Sequence, residues 1–355
     1  MKLQSLSLIF FKNHSDFKWE GVDDVVAIAG LNGAGKTSIL DAIHFLCVGK
    51  SYFASTDVQC IQNDALQSGI IAKLQTDKLT DLKIKLKRGG RKVIERDGVP
   101  YKKMLEHIGQ FLAVVIAPSD IELVYGANEK RRSFINQVLC QVDGGHLIDL
   151  MTYNKLLDHR NKHLKQDVID DALIQTLDTQ IAPLAQAIYT KRQAFLGEFS
   201  VVFEEEYYKI SGEREHVILH YTSQLQTNSY LDVAANCRSK DVVLQRSNGG
   251  IHKDELELEL GGQSLRKYGS QGQIKSSLIA LKLAEYKYLQ KHTQKNPFLL
   301  LDDIFEKIDE ERAQVLTQII KNDNFGQIFI TDTNEHRLAA FCEAIGKPYT
   351  TLLLA

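Results

Sequence analysis

Residues 22–49 read VDDVVAIAGLNGAGKTSILDAIHFLCVG, and their centre, Gly30-Leu31-Asn32-Gly33-Ala34-Gly35-Lys36-Thr37, fits the phosphate-loop pattern G-x-x-x-x-G-K-[ST]. The context fits too: an apolar strand pattern leads in, and helical spacing leads out through Ile39-Leu40-Asp41-Ala42-Ile43. Glycines in such a loop let the backbone curl until several amides point at one phosphate group. Lys36 then reaches the β- and γ-phosphates, and the Thr37 hydroxyl ligates Mg2+. Ser38 belongs to the same turn. The stretch predicts a site for a nucleoside triphosphate.

A second motif supplies the acids such a site needs. Phe298-Leu299-Leu300-Leu301 is continuously apolar and runs into Asp302-Asp303. A short run of this kind reads as a central strand buried on both faces. Carboxylates at its C-terminal end stand where open α/β sheets bind ligands. Asp302 is the expected Mg2+ ligand, directly or through water, and Asp303 the group that orients or activates attacking water. Asp302 lies 266 residues beyond Lys36, too far for a compact GTPase. No base-reading N-K-x-D motif is found either, since NKHLKQD at 161–167 has the wrong spacing. The head is therefore expected to be assembled from both ends of the chain, with something inserted between.

Bulk properties set limits. At 355 residues, 44% hydrophobic and 25% charged, the chain has the composition of an ordinary globular protein of two or three domains. No apolar run approaches the roughly 20 residues that cross a bilayer. The opening MKLQSLSLIFFKNH alternates like a strand and lacks a small-residue cleavage site, so no signal peptide is expected. Cys47, Cys60, Cys140, Cys237 and Cys342 have neither metal nor redox spacing, which fits reduced thiols in a cytoplasm.

In the middle, Leu82, Ile84 and Leu86 alternate with Lys83, Lys85 and Lys87 before a Gly89-Gly90 turn, the pattern of a hairpin with one basic face. Nine basic residues from Lys83 to Lys103 face only Glu95 and Asp97, a local net charge of +7 in a chain of −2. Lys83, Lys85, Lys87, Arg88, Arg91 and Lys92 are thus candidates for nucleic-acid phosphates. From Asn128 to Gly212 the pattern is helical, with Pro183 expected to kink or end a helix. Sustained heptads are not read there, so no long coiled coil is expected. Strands return after Asp241. They deliver Tyr268-Gly269-Ser270-Gln271-Gly272-Gln273, a polar turn entering a helix with apolar Ile274, Leu278, Leu281 and Ala284. Ser270 is the expected N-cap, and such a start is either a plain cap or an anion site.

Taken together these motifs resemble the ABC-type ATPase heads of the SMC group and, more closely, the RecF family of bacterial DNA-repair ATPases, over essentially the whole chain. The RecF-like stretches include APSDIELVYGANEKRRSFIN (117–136), YNKLLDHRN (153–161), IHKDELELEL (251–260), YGSQGQIKSSLIALKLAE (268–285) and FLLLDDIFEKID (298–309). The resemblance implies an α/β fold: an ABC-type P-loop head with a mixed sheet, from 1–116 and 241–355, plus a mainly helical lobe at 117–240. It implies that Ser270, Gln271, Gly272 and Gln273 contact the γ-phosphate of ATP held by a second subunit. Asp309 is implied at the dimer interface, Thr331 or Asp332 as the polar switch, and Pro118-Ser119-Asp120 as a lid-like loop. Lys12 and Asn13 take the place of a family turn near the nucleotide, with a lysine point charge where the family has arginine. The family's Pro-His-Arg-Asp segment here reads Ile251-His252-Lys253-Asp254, and His252 is read as structural.

The expected function is that of a weak, DNA-stimulated ATPase of recombinational repair, with ATP and Mg2+ as cofactors. An ATP-driven homodimer would bind DNA at single-strand/double-strand junctions and, with RecO and RecR mediators, help load RecA. An SMC-like tethering ATPase is the alternative, opposed by the missing coiled coil. A transporter ATPase subunit is a third reading, with no membrane-coupling feature to support it.

Overall fold

The computed structural model describes the chain apart from residues 308, 309 and 355 and the side chains of 306 and 307. Strands β1 (Lys2–Phe11), β2 (His14–Glu20) and β3 (Val25–Gly30) come first, followed by helix α1 (Lys36–Val48). Then follow β4 (Gln67–Gln75), β5 (Leu79–Lys87), β6 (Val93–Arg96), β7 (Val99–Pro100) and β8 (Ala113–Ile116). A helical stretch contains α2 (Glu122–Tyr125), α3 (Asn128–Val142), α4 (Gly144–His163) and α5 (Asp171–Ile210). Next come β9 (Val217–Thr222), α6 (Tyr230–Leu244), β10 (Glu255–Leu260), β11 (Gln263–Ser264), α7 (Leu265–Tyr268) and α8 (Gln271–Thr293). The chain closes with β12 (Phe298–Leu301), α9 (Ile304–Lys307), α10 (Glu310–Asn322), β13 (Ile328–Asp332), α11 (Glu335–Ile345) and β14 (Tyr349–Leu354).

Two compact units result. The first comprises 1–120, 209–213 and 278–355; the second comprises 121–208 and 214–277. The expected return to the head at 241 is thus corrected, because 241–277 belongs to the second unit and the boundary falls inside α8. The reason is packing: β10 pairs with β9, and Ile251 shares the core of Tyr153, Ile188 and Val233. The inserted unit consequently holds a three-stranded sheet, β11-β10-β9, as well as helices.

In the first unit, a parallel sheet of order β14-β3-β13-β12-β8 is joined by an antiparallel one of order β2-β1-β4-β5-β6-β7. Strands β3, β8, β12 and β13 are almost wholly buried, as expected of a parallel sheet covered on both faces. β5 keeps strict alternation, with Leu82, Ile84 and Leu86 inward. Helix α1 buries twelve of its thirteen residues. Burial on nearly every side places it inside the unit, and its apolar side chains share one core with residues of both sheets. That burial fixes the phosphate loop, which α1 continues.

Pro183 does not end a helix: α5 runs 40 residues and contains it. Its buried side chains recur every three or four positions, from Ile174, Leu177, Ile181, Ala185 and Ile188 to Phe195, Phe199 and Phe203. This sustained stripe was missed because Arg192, 2% exposed, and Glu206, 0% exposed, interrupt it. The stripe packs into its own unit, where Phe134 meets Phe199 edge-on with centroids 6.0 Å apart, rather than into a coiled coil.

Candidate ATP-binding site at the edge of the parallel sheet

Strand register brings the predicted acids to the phosphate loop. β13 lies between β3 and β12, and the three run parallel, so the loop after β3 and the residues ending β12 and β13 share one edge. Thr37 Oγ1 lies 2.9 and 3.1 Å from the carboxylate oxygens of Asp302. Thr331 Oγ1 donates to Asp302 Oδ1 at 2.9 Å and accepts from the Asp303 amide at 2.9 Å. Burial raises the Asp302 carboxyl above its ordinary range, the hydroxyls of Thr37 and Thr331 oppose that, and the neighbouring Asp303 adds to it. Asp303 sits at φ +42°, a conformation that non-glycine residues seldom adopt.

The loop itself is shaped for a polyphosphate. Gly33 and Gly35 have φ of +88° and +95°, in the left-handed region that glycine adopts without strain. A Cβ on Gly35 would fall 2.5 Å from His14 Nε2, and one on Gly30 would fall 2.8 Å from the Leu354 carbonyl oxygen. Gly35 caps α1 without any side-chain hydrogen bond, leaving first-turn amides to an anion. Lys36, 4% exposed, donates to the carbonyls of Gly30 at 2.9 Å and Leu31 at 3.1 Å, which keeps its ammonium against the loop. Leu31 and Asn32 are exposed on the loop, and the Ala34 amide donates to the Leu31 carbonyl. The hydroxyl and carboxylate oxygens of Thr37 and Asp302 form a hard donor set suited to Mg2+.

Asn13 is part of this loop's support: its Nδ2 donates to the Gly33 carbonyl at 3.1 Å, and its Oδ1 accepts from Ser38 Oγ at 3.4 Å. Lys12 is not. Its ammonium pairs with buried Asp41 at 2.5 Å and lies over the Phe53 ring, so the structure spends it on α1 rather than on the loop. Asp332 is likewise spoken for: Arg337 grips both its oxygens at 2.7 and 2.6 Å, and the Asn334 amide adds a third bond. Of the two switch candidates, Thr331 is the one joined to Asp302.

Some residues carried no sequence signal. His14 Nε2 lies 3.0 Å from the Gly35 carbonyl, a contact no motif announces. Asp41 accepts from Ser51 Oγ at 2.6 Å and from the Tyr52 amide at 2.7 Å. The Tyr52 hydroxyl bonds Asp120, whose other oxygen accepts the Ala117 amide at 2.8 Å. Lys282 lies over the Tyr52 ring and pairs with Glu285 at 2.9 Å. Burial pulls the Lys282 ammonium down, yet Glu285, Tyr52 and Asp120 together hold it above the ordinary lysine range. Asp120, in the Pro118-Ser119-Asp120 turn, thus follows β8 beside Asp302, whose amide donates to Ile116 at 2.9 Å.

In the second unit Ser270 is the expected N-cap. The Gln273 amide donates to its hydroxyl at 3.2 Å, and Gln273 Oε1 accepts from the Ser270 amide at 2.8 Å, a reciprocal box. Gln273 also donates to Glu215 at 2.8 Å, so its side chain is committed to this turn. Gln271 and Gly272 begin α8, with Gln271 exposed. Asp309 lies outside the described residues.

The basic hairpin is less available than its composition suggests. Arg88 donates to the carbonyls of Ala65, Ile61, Gln62 and Asn63, and Lys92 donates to Gly49 at 2.6 Å and pairs with Asp57 at 3.0 Å. Glu95 faces Lys83 across the strands and pairs with Lys85 at 2.5 Å. Arg88, Lys85 and Lys92 are therefore engaged within the protein, leaving Lys83, Lys87 and Arg91 as the outward cations.

A phosphate loop and an acidic strand end brought together on a discontinuous head define an ABC-type P-loop ATPase. The sequence model of the AAA domain family matches residues 5–324. The DNA replication and repair protein RecF of Porphyromonas gingivalis is 39% identical over 342 residues, 95% of this chain and 94% of that protein. Its counterpart in Parabacteroides distasonis is 38% identical over 352 residues, 98% of this chain and 96% of that one. The chain belongs to the RecF family, whose members are ATP-binding proteins of DNA replication, repair and recombination. A solved structure described as the recombination mediator protein RecF with ATP in the RecFOR pathway matches with a TM-score of 0.87 at 26% identity, covering 94% of this chain and 92% of that one. The Smc head domain of Pyrococcus furiosus, at 16% identity and a TM-score of 0.55, shares the fold. Among the described residues no helix is long and apolar enough to cross a membrane.

Proposed function

We propose that this protein is an ATP-switched DNA clamp of recombinational repair. The observation that carries the reading is the junction of Thr37, Asp302, Thr331 and the Asp303 amide, which links the phosphate loop to two strand ends. Bound Mg2+ would neutralise charge building on the phosphates. Thr37 and Asp302 hold the cation, and Lys36 orients the β- and γ-phosphates. Thr331 fixes the Asp302 carboxylate and the Asp303 backbone. Asp303, a methylene shorter than glutamate, has a shorter reach to the attacking water, which accords with slow hydrolysis.

In this reading Ser270, Gln271 and Gly272 cap the γ-phosphate held by a second copy, so ATP bridges a homodimer and hydrolysis releases it. Gln273 acts indirectly, by holding Ser270. The dimer binds gapped or junction DNA and hands it, with RecO and RecR mediators, to RecA. The test is DNA affinity of the full chain with ATP and Mg2+, with ADP, and with ATP after Lys36→Ala. Tight binding confined to the first condition is expected; equal binding in all three would sink the switch.

A further inference from the structure

Two acids in the second unit are removed from the surface by arginines of the same unit. Asp241 pairs with Arg160 at 2.8 Å, and Asp254 pairs with Arg192 at 2.7 Å while accepting from the Tyr221 hydroxyl at 2.6 Å. Around these paired acids the chain exposes Lys240, Arg246 and Lys253, and none forms an ion pair among the described residues. Lys240 stands on α6, and the loop after it, which carries Arg246 and Lys253, is fixed. Asp241 Oδ1 accepts from the amide and side chain of Asn248 at 2.8 and 2.9 Å. The Ser247 amide donates to Asn161 at 2.7 Å, and the Gly250 amide to Gln224 at 2.8 Å. His252 Nε2 lies 3.1 Å from the Ser247 carbonyl, so Arg246 and Lys253 flank a closed contact. A Cβ on Gly249 would meet Val233 at 2.6 Å, which shows how closely the loop lies on α6. Burial, then Arg246 and Arg132, hold the Lys253 ammonium below the ordinary lysine range; Asp241 opposes this and Lys240 adds to it.

We propose that Lys240, Arg246 and Lys253 form a phosphate-contacting face for the backbone of duplex nucleic acid. Three exposed cations, one on α6 and two on the fixed loop after it, suit a polyanion, since none is held in an ion pair among the described residues and the backbone that carries them needs little ordering on binding. The exposed large side chains beside them, Val242, Val243 and Leu244, are aliphatic. They offer no stacking platform for unpaired bases, which favours backbone contacts that carry no sequence information. The inference rests on the reading that the protein grips DNA, and it moves the principal contact from the hairpin to this loop.

The test is fluorescence anisotropy of a labelled gapped duplex with the full chain, ATP and Mg2+, across a salt series. The triple variant Lys240→Glu, Arg246→Glu, Lys253→Glu is compared with its glutamine counterpart and with the parent, with ATP affinity as the folding control. The charge reversal should lower affinity at least about tenfold and flatten the salt slope by roughly 2 to 3, given roughly 0.9 per lost phosphate contact. The glutamine variant should flatten it similarly with a smaller loss of affinity. An unchanged slope in variants that bind ATP normally would overturn the assignment while leaving the clamp reading intact. A parent that fails to bind DNA with ATP would overturn both.

Discussion

Thr37 Oγ1 lies 2.9 and 3.1 Å from the two carboxylate oxygens of Asp302, across 265 positions of sequence. That contact joins the phosphate loop to the acidic strand. Thr37→Val keeps the shape but removes the oxygen. Isothermal titration should show Mg2+-dependent ATP affinity lowered by about tenfold or more, with Thr37→Ser close to the parent. Equal affinities for all three would remove Thr37 from the metal set.

Thr331 and Asp332 are neighbours with different partners, and their variants should part accordingly. Thr331→Val frees Asp302 and the Asp303 amide, so steady-state kinetics should show kcat falling with little change in KM. Arg337→Ala strips Asp332 of its bidentate partner, and melting should show a loss of about 1–2 kcal/mol with kcat retained. A kcat effect from Arg337→Ala as large as that from Thr331→Val would reverse the assignment of the switch.

Arg160 is 1% exposed and bonds Asp178, Asp241 and Ser247 at 2.7, 2.8 and 2.7 Å. Arg160→Met leaves two buried carboxylates without their cation. Chemical denaturation should show the second unit weakened by about 3–5 kcal/mol. Adding Asp178→Leu and Asp241→Leu should recover part of it; no recovery would mean that the loss is one of packing alone.

Four histidines, His44, His107, His146 and His252, are pushed from 6.5 down to about 4, burial being the largest cause in each. Above 6.5 neither state binds the proton and the stability contribution is complete. As pH falls from 6.5 toward 4 the unfolded chain takes up protons that the folded chain refuses, so stability is lost over that window. Melts from pH 8 to 4 should be level above 7 and fall below 6.5. His107→Phe, placed between the Tyr101 and Phe111 rings, should fall less steeply. An unaltered slope would exclude His107 from this effect.

Local chemistry made the phosphate loop, the acidic strand and the alternation of β5 legible in the sequence, since each rests on residues close in the chain. Asp41, Tyr52, Asp120 and Lys282 were not legible as a set, because packing alone joins four separate segments. The hairpin misled in the opposite way. Its charge count was correct, but Glu95 and the carbonyls before Leu66 absorb Lys85 and Arg88 only once the strands pair. Pro183 gives the same lesson: the apolar stripe of α5 outweighs one missing amide.

The most direct test of the ATP-bridged dimer is light scattering of the parent, Lys36→Arg and Ser270→Arg proteins with and without ATP. ATP should double the mass of the parent alone. A dimer formed equally well by Ser270→Arg would contradict it, leaving an ATPase whose helix-start turn is only a cap.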